Sequence, residues 1–368
     1  MGKTIVVSAV NLRKGGTLAI LRDCLAALSQ LARQGDVRIV ALVHKKALAQ
    51  YDGIEYIELP WSVRSWGHRL WCEYVTMHRI SQQLGNIDLW LSLHDTTPRV
   101  KARSQAVYCH NSYPFFRWQW RHLWLNYRIV CFALFTKWIY RINIHRNDYI
   151  IVQQEWFRAA FQKMFGIRKD SIIVARPNAV CSPIPDQRPH DGVYRFIYPA
   201  YPDVHKNLEC ICQASRLLER DIESSRFEVI LTTSADMNPY SQWICRKWAD
   251  VKSIRFCGFM DRERLNALYA QADCLVFPSW VETWGLPISE FAVTGRPMLL
   301  ADLPYTHETA AGSRKTAFFN PADASELKEK MKELILGNEQ GLQSVAAVHS
   351  APPCAADWPQ LFNLILQQ

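Results

Sequence analysis

Apolar positions along this chain fall into short strand-length runs separated by stretches of helical periodicity. Residues 4–10 and 37–43 are nearly continuous apolar runs, the pattern of strands buried on both faces. Between them, Gly15 and Gly16 open a helical pattern that extends to about Ala32. Weaker strands are predicted over 54–59, 88–91 and 106–109. A strand over 148–152, a helix over 155–165 and a strand over 171–174 close the first half. The second half repeats the alternation, with strands predicted over 195–199, 227–232, 253–257, 274–277 and 297–301. Helices are predicted over 208–218, 239–248, 262–271, 287–294 and 324–336, and a short amphipathic helix over 357–365. Strands alternating with helices imply an α/β fold with parallel sheets covered on both faces.

The stretch 176–192 (RPNAVCSPIPDQRPHDG) is rich in proline and polar turn residues and reads as a linker. It divides the 368 residues into domains of about 1–175 and 193–354, with 355–368 as a terminal helix able to pack back on the first domain. A single core would be too large for such a length, so two domains are expected. Two doubly wound halves place ligands at the carboxyl ends of strands, in a cleft between the domains. Hydrophobic residues make up 49% of the chain and aromatics 12%, the composition of a packed globular protein. The 11 cysteines are odd in number and scattered, which suits reduced, mostly buried thiols. The N-terminus runs straight into a strand without an h-region, and no run approaches a spanning helix, so a cytoplasmic protein is expected.

Charge is unevenly placed. No acidic residue occurs between Asp95 and Asp148, while Arg99, Lys101, Arg103, Arg117, Arg121, Arg128, Lys137, Arg141 and Arg146 all do. Those nine positive charges equal the net charge of +9. Trp118, Trp120, Trp124 and Trp138 are interleaved with them. The stretch reads as a long helix with a solvated face, as a nucleic-acid surface, or as a patch resting on an anionic bilayer. Nothing else in the chain resembles a nucleic-acid module, and the membrane reading is favoured.

The densest chemistry lies in residues 277–308, FPSWVETWGLPISEFAVTGRPMLLADLPYTHE. An apolar strand ends, a turn carries Glu282, and a helix begins with Glu290 in its first turns. Pro287 suits the first helical position, where a missing N–H costs nothing. The backbone N–H groups of Trp284, Gly285 and Leu286 then lie at the positive end of a helix dipole, and the two carboxylates are strong acceptors for sugar hydroxyls. The spacing of two glutamates alone means little. The block around them resembles the E-x7-E signature of the retaining GT-B glycosyltransferases of glycosyltransferase family four. Pro278, Ser279, Glu282, Gly285, Leu286, Pro287, Glu290, Gly295 and Pro297 carry the resemblance, which extends along most of the chain.

That resemblance implies two Rossmann-like domains facing a cleft, the second holding a nucleoside diphosphate sugar. It implies that Glu290 accepts the ribose hydroxyls. Glu282, with the N–H groups of Trp284, Gly285 and Leu286, would hold the sugar. Lys206, in YPAYPDVHKN, would stabilise the departing diphosphate. The family usually carries an arginine about five residues before this lysine; here that position is Tyr201, and His205 or a distant arginine is expected to help. His110, in VYCHNSYP, resembles the family's cleft histidine. Gly15 and Gly16 resemble its glycine loop, Gly258 falls where backbone meets the base, and Asn178 where the family has a turn residue. Glu155 reads as a capping carboxylate. No two aspartates stand two residues apart, so a D-x-D metal site is absent and no metal or cofactor is expected.

The reading is a metal-independent retaining hexosyltransferase, peripheral on the inner face of the plasma membrane. Its expected acceptor is a polyprenyl-diphosphate-linked glycan in O-antigen, lipopolysaccharide or capsule synthesis. The alternative is a non-catalytic sugar-nucleotide-binding or scaffold member at the membrane, motivated by Tyr201. A nicotinamide-dependent oxidoreductase is disfavoured, because NLRKGGTL is not a G-x-G-x-x-G fingerprint.

Overall fold

The computed structural model describes residues 2–35, 37–177 and 183–366. The chain forms two compact units. In chain order the first half contributes β1 (Lys3–Ala9), α1 (Gly15–Gln34), β2 (Val37–Val43), β3 (Ile54–Glu58), α2 (Trp66–Trp71), α3 (Met77–Leu84), β4 (Leu89–Ser92), β5 (Ser104–Tyr108), α4 (Trp120–Arg141), β6 (Tyr149–Val152), α5 (Glu155–Phe165) and β7 (Ile172–Ala175). The second half contributes β8 (Tyr194–Tyr198), α6 (Leu208–Leu218), β9 (Phe227–Leu231), α7 (Pro239–Lys247), β10 (Ile254–Phe256), α8 (Arg262–Gln271), β11 (Cys274–Phe277), α9 (Leu286–Ala292), β12 (Met298–Ala301), α10 (Pro304–Thr309), β13 (Thr316–Phe319) and α11 (Ala324–Ile335). The short β14 (Cys354–Ala355) and α12 (Trp358–Leu366) follow.

The first unit is built on an eight-stranded sheet of order β14-β7-β6-β5-β4-β1-β2-β3, and every pairing in it is parallel. Parallel strands need crossovers, and the helices that supply them cover both faces. One face is sealed by α1 and α12: Leu21, Leu25 and Leu28 meet Leu361, Phe362 and Ile365 over Ile5, Val7, Ile39 and Ala41. Each such side chain contributes about 1.5–3 kcal/mol when fully buried. The returning C-terminal segment is also held by polar contacts. Arg158, almost wholly buried, donates to the carbonyls of Ala351 (2.9 Å) and Pro353 (2.5 Å). Glu155 accepts from the Ala351 amide at 2.9 Å and pairs with Arg158 at 3.3 Å.

The second unit is built on a six-stranded parallel sheet of order β10-β9-β8-β11-β12-β13. Its order reverses between β8 and β11, which pair through Phe196–Cys274 and Ile197–Leu275. Ligands of doubly wound sheets bind outside the carboxyl ends of strands at such a point.

Chain order alone places residues 112–134 in the first domain. Their contacts place them in the second unit. The ring of Tyr113 meets His205 edge-on at 5.0 Å, Phe116 approaches the same imidazole at 6.3 Å, and Asn126 reaches Asp203 at 3.4 Å. Ring contacts of Tyr113 and Phe116 with the connection after β8 tie this segment to the second unit.

Candidate active site

The connection after β8 turns back through a single 3₁₀ turn, Val204–Lys206, and Asn207 ends it in the left-handed region (φ 56°). Asn207 is buried and its amide donates to two carbonyls, Pro278 at 3.0 Å and Pro321 at 2.8 Å. The buried hydroxyl of Tyr198 donates to the Lys206 carbonyl at 2.7 Å. The His205 carbonyl accepts from the Trp280 amide at 2.8 Å. The β8 and β11 connections are thereby stitched together at the switch point, and Lys206 emerges from that seam.

Glu282 lies on the other side of it. Its Oε1 accepts from Lys206 Nζ at 2.5 Å and from the Ser279 hydroxyl at 2.7 Å. Both side chains are mostly buried, with 18% of the lysine and 14% of the glutamate exposed. Tyr305 fixes the loop from below, donating to the Ser279 carbonyl at 2.6 Å. Asp203 is a third charged group here. Burial raises its pKa to about 6; Lys206 opposes the shift and Glu282 adds to it. The buried imidazole of His205 is pulled well below its ordinary range by desolvation and then by Lys206, so it is neutral at pH 7.

After Glu282 the chain enters α9 through Gly285, whose backbone is left-handed (φ 88°, ψ 58°). A Cβ there would stand 3.3 Å from Ile288 Cδ1, so glycine serves both conformation and space. Leu286 and Pro287 form the first turn of the helix, as the proline predicts. The Trp284 indole donates to Ser289 Oγ at 2.9 Å, and its carbonyl accepts from the Thr309 hydroxyl. Glu290 is buried within α9. Its Oε1 accepts from Arg262 Nη1 at 2.6 Å and its Oε2 from the Tyr269 hydroxyl at 3.1 Å. Gly258 follows β10 with φ 76°, its amide bonded to the Thr233 carbonyl at 3.1 Å and Ser234 Oγ 3.2 Å from where a Cβ would lie.

The remaining predicted residues belong to the first unit. His110 follows β5, its amide donating to Asp95 Oδ1 at 2.7 Å and its Nε2 lying 3.2 Å from Asp95 Oδ2. Asp95 has a left-handed backbone (φ 69°) and also accepts from the Tyr140 hydroxyl at 3.0 Å. Beside it lies a buried polar cluster: His94 Nε2 bonds Ser8 Oγ at 2.9 Å, and its Nδ1 lies 2.8 Å from Thr96 Oγ1 and 3.5 Å from Glu73, which pairs with Arg69. Gly15 (φ 61°) and Gly16 open α1 at an exposed turn. Asn178 lies outside the described residues.

Residues 196–336, which carry this site, match the family model described as Glycosyl transferases group 1. Over these residues the chain is similar to the group 1 glycosyl transferases. It is 18% identical over 259 residues to the O-antigen chain mannosyltransferase RfbU of Salmonella typhimurium, an alignment covering 70% of this chain and 67% of the other. It spans about half the length of other curated relatives it matches. Among solved structures, a glycosyltransferase of Rickettsia africae superposes with TM-score 0.64 at 15% identity, covering 92% of this chain and 90% of the other. The Anabaena protein HepE, solved with UDP and glucose, superposes with TM-score 0.60 at 14% identity, covering 92% and 91%. The fold is GT-B.

The structure brings Lys206 and Glu282 into contact, sets Trp284, Gly285 and Leu286 at the entry to α9, and buries Glu290 within it. It also reveals supports that sequence reading passed over: Tyr198, Asp203, Asn207, Arg262, Tyr269 and Tyr305. Asn207 had one signal, an Asn directly after a candidate phosphate lysine. The tyrosines look like ordinary core residues until their hydroxyls find backbone or carboxylate partners.

The basic aromatic stretch includes β5 and α4, and α4 is kinked at Asn126 (φ −159°, ψ 79°). Trp120, Trp124, Tyr127, Phe135 and Trp138 are exposed, Trp124 by 94%. Arg141 and Lys137 both lie over the Trp138 ring. No helix among the described residues is long and apolar enough to cross a membrane.

Proposed function

We propose that this chain is a retaining glycosyltransferase that moves a hexose or deoxyhexose from a nucleoside diphosphate sugar to a glycan acceptor. The observation that carries the reading is the contact of Lys206 with Glu282 at the sheet's switch point, where the connections after β8 and β11 meet. Their contact supports reading Lys206 as the partner of a leaving diphosphate and Glu282 as the acceptor of sugar hydroxyls. Glu290 is the acceptor for the ribose. Lys206 and the backbone N–H groups before α9 neutralise the developing negative charge, so no metal step is required. The transition state is oxocarbenium-like by analogy with glycoside hydrolysis. No side chain is assigned as a covalent nucleophile, and front-face attack assisted by the leaving phosphate accounts for retention.

His110 and the Gly15–Gly16 turn are assigned to acceptor handling, with Asp95 orienting the imidazole. A polyprenyl-diphosphate-linked glycan in O-antigen or capsule assembly fits the exposed tryptophans and cations of α4, which suit a peripheral protein on an anionic membrane surface. The RfbU relative, named for O-antigen mannose transfer, supports this direction. HepE, solved with UDP and glucose, supports the donor class.

The test is a thermal-shift screen with UDP, GDP, dTDP and CMP, followed by transfer assays with sugars of the preferred nucleotide. Ligands that bind only the folded state raise its apparent stability. One preferred diphosphate, its effect abolished in Glu290→Ala, supports the reading. Binding without turnover across lipid-linked and free glycan acceptors would instead favour a sugar-nucleotide-binding scaffold.

A further inference from the structure

Glu290 has two partners of opposite character. Tyr269 reaches it from inside: the tyrosine is fully buried, and the end of its helix is pinned by Arg296, which donates to the carbonyls of Tyr269 (2.8 Å), Ala270 (3.1 Å) and Ala272 (2.6 Å). Arg262 reaches it from outside. It is the first residue of α8, and its side chain is 58% exposed while that of Glu290 is 8% exposed. The guanidinium therefore covers the solvent side of a buried carboxylate.

A ribose approaching Glu290 must come from that side and meets Arg262 first. Arg262 is itself largely exposed, and ribose hydroxyls that replace its donors keep the buried carboxylate paired, so the guanidinium can turn away without leaving Glu290 uncompensated. The displaced guanidinium then lies free beside a ligand whose ribose carries phosphate. Charge at this site is also unbalanced for a diphosphate. Lys206 is shared with Glu282, Asp203 lies close to it, and His205 is neutral. The position five residues before Lys206 is Tyr201, which offers no charge. A planar guanidinium is well suited to phosphate oxygens.

We propose that Arg262 is a nucleotide-recognition residue: it covers Glu290 until a nucleotide binds and then turns onto the phosphate of the nucleotide whose ribose takes its place on that carboxylate. This rests on the reading of Glu290 as the ribose acceptor.

The test is calorimetric titration of the full chain with uridine, UMP and UDP, and with guanosine, GMP and GDP in parallel. Wild type is compared with Arg262→Ala, Arg262→Lys and Glu290→Gln, each checked for folding by circular dichroism. The expected result is that Arg262→Ala lowers the ratio of diphosphate to nucleoside affinity about tenfold. Nucleoside affinity stays the same or rises, because a competitor for Glu290 has gone. Arg262→Lys restores part of the ratio. Equal weakening of nucleoside and diphosphate would make Arg262 a mere support for Glu290 and overturn the proposal, as would an unchanged ratio. Failure of the underlying reading looks different. Nucleoside binding undiminished in Glu290→Gln, or no nucleoside or nucleotide bound by wild type, would remove the ribose assignment and the role of Arg262 together.

Discussion

Lys206 and Glu282 lie 76 positions apart and meet at 2.5 Å, with the Ser279 hydroxyl completing the coordination of the same carboxylate oxygen. Neither group is fully exposed, so each depends on the other for compensation. Removing the lysine leaves Glu282 with one neutral donor, a change that costs about 1–3 kcal/mol of stability. Its catalytic cost should be larger. Loss of a single preorganised charge partner at a developing anion lowers turnover roughly 100- to 1000-fold. Lys206→Ala is therefore expected to fold, with a lowered urea midpoint, and to lose at least two orders of magnitude in transfer rate. Near-normal transfer by that variant would remove Lys206 from the leaving-group role.

Asn207 separates two contributions that usually travel together. Its left-handed backbone is strained for most residues, and its amide ties the Pro278 and Pro321 carbonyls. Asn207→Gly keeps the conformation and gives up both bonds, a loss of about 1–3 kcal/mol. Asn207→Ala gives up the bonds and adds the cost of φ > 0, about 1 kcal/mol more. Stability measured by urea unfolding should fall in the order Asn, Gly, Ala. Equal losses in the two variants would show that the backbone conformation carries no cost.

Much of this architecture is legible in the sequence. The helices at 155–165, 208–218 and 262–271 are expected and found over the same residues, because each has a clear period and flanking polar or turn residues. The pattern does not reveal β13 or α10: β13 follows polar and turn residues with only four residues of its own, and α10 is six residues long and begins two residues after β12, too short to show a period. Residues 112–134 group by contacts with the second unit although they precede the linker, since periodicity does not reveal what a segment packs on. At the candidate site, Lys206, Glu282 and Glu290 stood out through the motif around them. Arg262 and Asp203 carry no motif; their significance arises only from what the fold sets beside them.

Asp203 predicts a pH dependence. Its folded pKa, about 6, lies above the ordinary carboxylate value because burial disfavours its charge. A raised pKa stabilises the fold while the group is protonated. The contribution is complete below the unfolded value near 4 and is lost as pH rises through about 6. Wild type should thus lose stability between about pH 4 and 6 relative to Asp203→Asn, in which the group cannot ionise. The same ionisation adds negative charge near Lys206. Diphosphate affinity should weaken from about pH 5.5 to 7.5 by a larger factor in wild type than in Asp203→Asn, which controls for titration of the ligand's own phosphate. Parallel pH profiles for the two proteins, in chemical unfolding and in titration calorimetry, would contradict this assignment.

The exposed rings of α4 give the last prediction. Trp120 and Trp124 stand one helical turn apart, 77% and 94% exposed, in a stretch whose only charges are positive. Indole rings gain by burial at the headgroup boundary, while each nearby cation contributes about 1 kcal/mol at an anionic surface. Two forces of different origin should separate experimentally. Sedimentation with phosphatidylglycerol vesicles should weaken as salt rises, because the cationic part is screened. Trp120→Ala combined with Trp124→Ala should lower binding at every salt concentration, by about tenfold or more if each ring contributes even half of a buried side chain's ~1.5–3 kcal/mol. Purely zwitterionic phosphatidylcholine vesicles should bind far less than anionic ones. Binding that ignores both lipid charge and the tryptophans would mean that α4 faces something other than a bilayer, and that the acceptor need not be lipid-linked.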